Sequence, residues 1–274
     1  MNQHASSRRW APSPLLYATA AVHLGAAAAV LSRPHAWPIA LGAVALNHAA
    51  LTAAGLWPRS ALLGPNWTRL PAAGGVAGGV AITIDDGPQP DVTERVLKLL
   101  EERRARATFF CVGENVLRYP ELAQEMARCG HAIENHSQRH RHDFSLLGPW
   151  RMSTEVARAQ DSIFKVTGTV PEFFRAPAGL RNPFLDPVLA RLNLRLVSWT
   201  RRGFDTVSGD ADAVFRRLAS PLRAADILLL HDGNAALTRS GSPVILEVLP
   251  RLLDALASGG LRAVTLRAHL GRPT

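Results

Sequence analysis

The sequence predicts an α/β protein: a parallel sheet closed or nearly closed into a β/α barrel, preceded by an N-terminal helical hairpin. Three observations predict it. Beyond residue 79, short β-rich apolar runs alternate with longer stretches of helical period. Two apolar runs without formal charge lie within residues 15–57. The polar clusters of the second part fall at the C-terminal ends of its apolar runs, where β/α barrels place their chemistry. An open doubly wound sheet is the alternative use of the same elements.

The hairpin comes first. Leu15 to Leu31 and Trp37 to Trp57 are each near the length that spans a bilayer. Alanine contributes little to insertion, and Asn47 and His48 need partners at membrane depth, so a soluble Ala-rich helical pair is the competing reading. A cleaved signal peptide behind Arg8 and Arg9 is a third, against which the second apolar run argues. Lys plus Arg exceed Asp plus Glu by 31 − 22 = 9. Residues 1–70 hold Arg8, Arg9, Arg33, Arg59 and Arg69 and no acid. The positive-inside rule then puts both hairpin ends and the body on the cytoplasmic side of the inner membrane, with Trp37, Trp57 and Trp67 at interfacial positions. No Lys/Arg-rich run or basic stripe interleaved with aromatics marks a nucleic-acid partner. Gly74, Gly75, Gly78 and Gly79 read as a linker, giving a membrane hairpin and linker over 1–70 and a body over 71–274.

The body's expected strands are 80–84, 107–112, 131–135, 173–177, 195–199, 226–231 and 262–266. Helical stretches lie at 92–104, 119–129, 150–166, 184–192, 211–221 and 243–258. Cys111 and Cys129 read as buried small hydrophobes, since two cysteines make no disulfide framework for this length.

The first strand ends in Asp85-Asp86-Gly87-Pro88. Adjacent strand residues point to opposite faces, so both carboxylates serve one pocket only if the turn bends them together. The third strand ends in Asn135-His136-Ser137-Gln138-Arg139-His140, and histidines four apart share one face of a helical turn, a spacing suited to one divalent ion. His131 reads as structural and His142 as solvated. Later strand ends supply Arg175-Ala176-Pro177-Ala178-Gly179, Trp199 with Asp205 beyond it, and Leu230-His231-Asp232-Gly233.

Singly, each cluster has a bland reading as a turn or core residue. Together, Asp-Asp-Gly-Pro, His-Ser-x-x-His, Arg-x-Pro-x-Gly and Leu-His-Asp resemble the polysaccharide deacetylase family, also called the NodB-homology or carbohydrate esterase family 4 domain, over roughly residues 76–270. The resemblance implies a distorted (β/α)7 barrel of NodB-homology type and a metal-dependent hydrolase that removes an N-acyl group from an amino sugar. It implies Asp85 as general base and His231 as general acid. Asp86, His136 and His140 would hold a divalent metal, zinc first and Co2+, Ni2+ or Mn2+ as alternatives. Arg175 would orient Asp85, and Asp205 would do the same for His231. The Ala178 N–H would face the oxyanion, and Trp199 with Leu229 or Leu230 would line the acyl pocket. Two places depart from the family pattern: Ala178 stands where a tyrosine is usual, and Arg202-Gly203-Phe204-Asp205-Thr206 keeps only the second of two aspartates and lacks the tryptophan. Both fall in the sugar groove. The membrane leader points to a lipid-linked sugar or an envelope glycan as substrate, with an O-acetyl esterase or a catalytically silent sugar-binding protein as other readings.

Overall fold

A computed structural model describes residues 9–72 and 76–270; Arg8 and the linker glycines Gly74 and Gly75 lie outside them. Helix α1 (Pro14–Ser32) starts behind Ser13, whose hydroxyl accepts the Leu16 N–H, with Pro14 in the first turn where a missing N–H costs nothing. Pro34 helps turn the chain into α2 (Trp37–Leu56). Both helices are long and apolar enough to cross a membrane. The polar groups inside the hairpin meet each other: Thr19 Oγ1 donates to Asn47 Oδ1 at 3.2 Å, and His23 Nε2 lies 3.3 Å from His48 Nε2.

The body follows as β1 (Gly79–Asp85), α3 (Val92–Glu102), β2 (Thr108–Cys111), α4 (Gly113–Arg118), α5 (Pro120–Arg128), β3 (Ala132–Asn135) and α6 (Pro149–Thr167). Then come β4 (Phe173–Phe174), α7 (Leu185–Arg191), β5 (Arg195–Leu196), β6 (Arg201–Arg202), α8 (Ala211–Ala219), β7 (Ile227–His231), α9 (Ile245–Ser258) and β8 (Arg262–Val264). Every pairing between these strands is parallel, in the order β5-β4-β3-β2-β1-β7-β6, with β8 beside the start of β1. Residues 195–202 pair with β4 at their start and with β7 at their end, so one run of chain closes the sheet into a distorted barrel and excludes the open doubly wound arrangement. The expected strand at 195–199 is split here because the chain leaves β4 at Leu196 and joins β7 only at Arg201.

Alternation along β1 builds two cores. Val80, Ile82 and Ile84 face the helices with Leu100, Phe109, Leu230, Leu249 and Leu252, whereas Ala81 packs inside the barrel with Phe110, Phe173, Val197 and Ile227. His131 is structural, as expected: burial pushes its pKa down to about 4, which keeps Nδ1 free to accept the Ala107 N–H at 3.2 Å.

The segment between hairpin and barrel is packed. Trp67 fills the gap between β5 and β6, taking the Ser198 N–H and donating to the Leu196 carbonyl; Leu70 is buried inside the barrel wall, and its N–H donates to the Ala225 carbonyl. Pro58 accepts from Ser198 Oγ at 2.6 Å. Gly79 belongs to β1, so the linker is shorter than its glycines suggest. We therefore propose Trp57, rather than residue 71, as the start of the folding unit. Burying one leucine is worth about 1.5–3 kcal/mol, and loss of Leu70 with these hydrogen bonds is large against a net stability of about 5–15 kcal/mol. A chain beginning at Trp57 is expected to unfold cooperatively. One beginning at Pro71 is expected to aggregate or to melt at least about 8 °C lower, which thermal denaturation of the two fragments checks.

Candidate active site

Strand β1 delivers both acids to one place. Asp85 is its last residue, and Asp86 follows at φ 77°, a left-handed step that reverses the usual alternation. Both line one cavity of about 240 Å³ with His136, His140, Trp199 and His231. The step is braced from two sides. Asn115 Nδ2 donates to the Asp86 carbonyl at 2.9 Å, and Gly233 comes so near that a Cβ there would lie 2.8 Å from the Asp86 Cβ.

His136 and His140 converge without the expected helical turn. Residues 136–140 form an irregular loop after β3 with Ser137 at φ 66° and His140 at φ 48°. Side chains fold the loop back on itself: Ser137 Oγ accepts the His140 N–H at 3.1 Å and Asn135 Oδ1 accepts the Ser137 N–H at 2.9 Å. From α6, the Glu155 carbonyl takes the Gln138 N–H and its carboxylate the Arg139 N–H. The two rings end 4.8 Å apart.

Asp86 Oδ1 lies 3.3 Å from His136 Nε2 and 3.2 Å from His140 Nε2, yet this buried oxygen has no hydrogen-bond partner. The three donor atoms lie within 4.8 Å of one another. His136 Nδ1–H donates to the Arg175 carbonyl at 2.8 Å, which leaves Nε2 with its lone pair toward the cluster. Burial alone would raise the Asp86 carboxyl, but the imidazole of His136, with His231 and His140, holds it well below the usual carboxylate range. Burial disfavours a charged His136, and the adjacent Asp85 and Asp86 nevertheless draw its pKa up. The pocket thus calls for positive charge at the point where three ligand atoms meet, and the donor set fits a divalent cation.

Arg175 is fully buried beneath Asp85. Its Nη1 donates to Asp85 Oδ1 at 2.6 Å and to Thr83 Oγ1 at 2.8 Å, its Nη2 to the Ser198 carbonyl at 2.8 Å, and its guanidinium lies 4.2 Å over the Phe110 ring. One Asp85 oxygen is therefore fixed, and the other lies 3.7 Å from His136 Nε2. His231 is the strand neighbour of Asp85 in the β1–β7 register. Its Nδ1 lies 2.9 Å from Asp205 Oδ1, and its N–H donates to Asp205 Oδ2 at 2.7 Å. Burial would lower the His231 pKa, but Asp205, with Asp85 and Asp86 further off, raises it and favours the protonated ring.

Ala178, Trp199 and Leu229 line the cavity, but Leu230 does not: alternation along β7 turns it outward into the helix-facing core. Gly179, at φ 73°, leaves room for Trp199, since a Cβ there would fall 2.6 Å from the indole. His142 is exposed as expected and also stands at the cavity. Sequence reasoning missed Asn115 and Asn234, whose Nδ2 donates to Asp86 Oδ2 at 3.2 Å, and the role of Asp232. Burial raises the Asp232 carboxyl to about 7, and it accepts the Thr93 hydroxyl at 2.5 Å. The signal for Asn234 was its place right after the His231-Asp232-Gly233 turn; nothing in the sequence marked Asn115.

A carboxylate and an imidazole on neighbouring strand ends beside an Asp-His-His cluster, at the C-terminal mouth of a β/α barrel, form the kind of polar centre that hydrolases use. Residues 75–197 match the polysaccharide deacetylase family. The chain is 31% identical over 188 residues to a chitooligosaccharide deacetylase of Azorhizobium caulinodans, covering 66% of this chain and 89% of that protein. It is 29% identical over 189 residues to a peptidoglycan-N-acetylglucosamine deacetylase of Bacillus cereus, covering 68% and 85%. Among solved structures, a family 4 carbohydrate esterase from Streptomyces lividans in complex with acetate superposes with a TM-score of 0.63 at 31% identity, over 72% of this chain and 97% of that one. The chain belongs to the polysaccharide deacetylase family. Its class of activity is that of a carbohydrate N-deacetylase.

Proposed function

We propose that the protein removes an N-acyl group, acetyl first among them, from an amino sugar in a polysaccharide, an envelope glycan or a lipid-linked sugar. The observation that carries the reading is the pairing of Asp85 and His231 on neighbouring strand ends around the Asp86, His136 and His140 cluster. Asp86, His136 and His140 would hold the divalent ion, zinc by the nitrogen-rich donor set, with Co2+, Ni2+ and Mn2+ as alternatives. Such an ion, when bound, supplies Lewis acidity and lowers the pKa of water. Asp85, held in place by the Arg175 hydrogen bond, accepts the proton of the attacking water. The acyl oxygen gains negative charge, and the N–H of Ala178, which lines the cavity, would donate to it. His231 gives its proton to the departing amine, and Asp205 fixes its tautomer. Trp199 and Leu229 receive the acyl methyl.

The test is acetate release from N-acetylglucosamine oligomers and from peptidoglycan, set against an O-acetylated sugar. An amine must be protonated as the C–N bond breaks, whereas an alkoxide leaves with less help. His231→Ala is therefore expected to cost about 10²–10⁴-fold on the amide and markedly less on the ester. Equal losses on both would reassign His231 to holding the acyl group, and faster release from the O-acetylated sugar would favour the esterase.

For topology, we propose a hairpin with both ends in the cytoplasm, supported by the five arginines and no acids of residues 1–70. A C-terminal reporter active only in the periplasm is expected to stay silent while a cytoplasm-dependent one works. The opposite result would move the substrate to the outer face.

A further inference from the structure

The end of α2 is joined to the rim of the active site through short contacts. Gly55, in its last turn, accepts the Arg181 N–H at 3.1 Å, and Pro58 lies against Gly179, which lines the cavity. Asn182, next along the chain, donates from Nδ2 to the carbonyls of Ser145 and Leu147 at 2.9 Å. The loop pinned in this way carries Leu146 at 83% exposure and leads into α6, whose first turn carries Trp150 at 81%. Trp57, Leu62 and Phe184 are exposed large apolar residues on the segments that these bonds tie together. Exposed apolar side chains on segments tied to two helices of membrane-spanning length suit a lipid environment.

Behind Trp150 runs a groove of about 390 Å³ in which Arg139, Arg141, Arg151 and Arg158 face a single acid, Glu155. Positions 151, 155 and 158 share one face of α6. Arg139 is paired with Glu114 and Arg141 with Asp143, but the exposed Arg151 and Arg158 make no hydrogen bond or ion pair among the described residues. Arg139 and Arg141, which line the groove, flank His140 of the catalytic cavity in the chain. Two free guanidinia suit a phosphate, which takes paired charge-assisted hydrogen bonds.

We infer that the substrate is an acylated amino sugar joined through phosphate to a membrane lipid, with its phosphate held by Arg151 and Arg158 while the sugar enters the cavity beside His140. The inference rests on the deacetylase reading for the chemistry at the sugar. It adds that the substrate reaches the site from the bilayer surface, over the patch of Leu146, Trp150 and Phe184.

The test uses the full chain in phosphatidylcholine nanodiscs and a probe without sugar, a long polyprenyl phosphate, with the matching polyprenol as control. Retention of the phosphate but not the alcohol is expected, weakened about tenfold or more in Arg151→Gln/Arg158→Gln. Both side chains are exposed, so the double variant is expected to melt with the parent protein. Equal retention of alcohol and phosphate, or no loss in the double variant, overturns the inference. Competition by phosphatidylglycerol at equal concentration would make the groove a general headgroup site. Competition by inorganic phosphate would make it a free-anion site, and either overturns the substrate assignment. Failure of acetate release from every sugar would instead sink the deacetylase reading while leaving phosphate retention as measured.

Discussion

His136→Ala and His140→Ala are each expected to lose bound metal and catalytic turnover together. Three protein atoms converge on one point, two imidazole nitrogens and Asp86 Oδ1, and removing one leaves a pair that cannot hold a divalent ion against water at ordinary concentrations. Turnover is expected to fall at least about 10³-fold, on the order of 4 kcal/mol in the barrier. Metal content measured by mass spectrometry should drop well below one ion per chain. His136 carries the greater structural risk, being buried with Nδ1 on the Arg175 carbonyl, whereas His140 is partly exposed at the rim. His140→Ala is thus the cleaner variant. Full metal occupancy in a folded His140→Ala protein would remove it from the ligand set.

Legibility in the sequence followed the range of the interaction. The seven expected strands could be read because alternation and apolar runs are local, although the one at 195–199 is split into β5 and β6, and the outward turn of Leu230 obeys the same alternation that places Leu229 and His231 inward. The pairing of His136 with His140 was legible as proximity but not as conformation. Spacing by four mimics a helix, while the actual loop depends on Glu155 of α6 and on left-handed residues at 137 and 140. Leu70 and Trp67 looked like linker because nothing nearby in sequence shows that 195–202 leaves a gap for them to fill. Asn115 stayed hidden for the same reason: among the described residues it is tied to the site by a hydrogen bond to the backbone of Asp86, 29 residues earlier in the chain.

The same layout fixes what Asp85→Asn should do. Among the described contacts, Asp85 approaches the cluster at 3.7 Å from His136 Nε2, so the substitution should leave Asp86, His136 and His140 in place and metal content unchanged. An amide cannot take a proton from water at this pH, and base catalysis is typically worth about 10²–10⁴-fold, so turnover should fall by that factor with metal content unchanged. The substitution has a second consequence. Arg175 is 1% exposed and its strongest partner is Asp85 Oδ1 at 2.6 Å. With a neutral amide it would keep a hydrogen-bond acceptor but lose its counter-charge, and a buried charge deprived of its partner destabilises by about 3–5 kcal/mol at the extreme. A lower melting temperature is therefore expected alongside the lost activity, and activity must be measured well below it. Arg175→Met in the Asp85→Asn background removes the stranded charge and should recover stability without recovering turnover. Turnover within threefold of the parent in folded, metal-loaded Asp85→Asn protein would show that another group takes the proton.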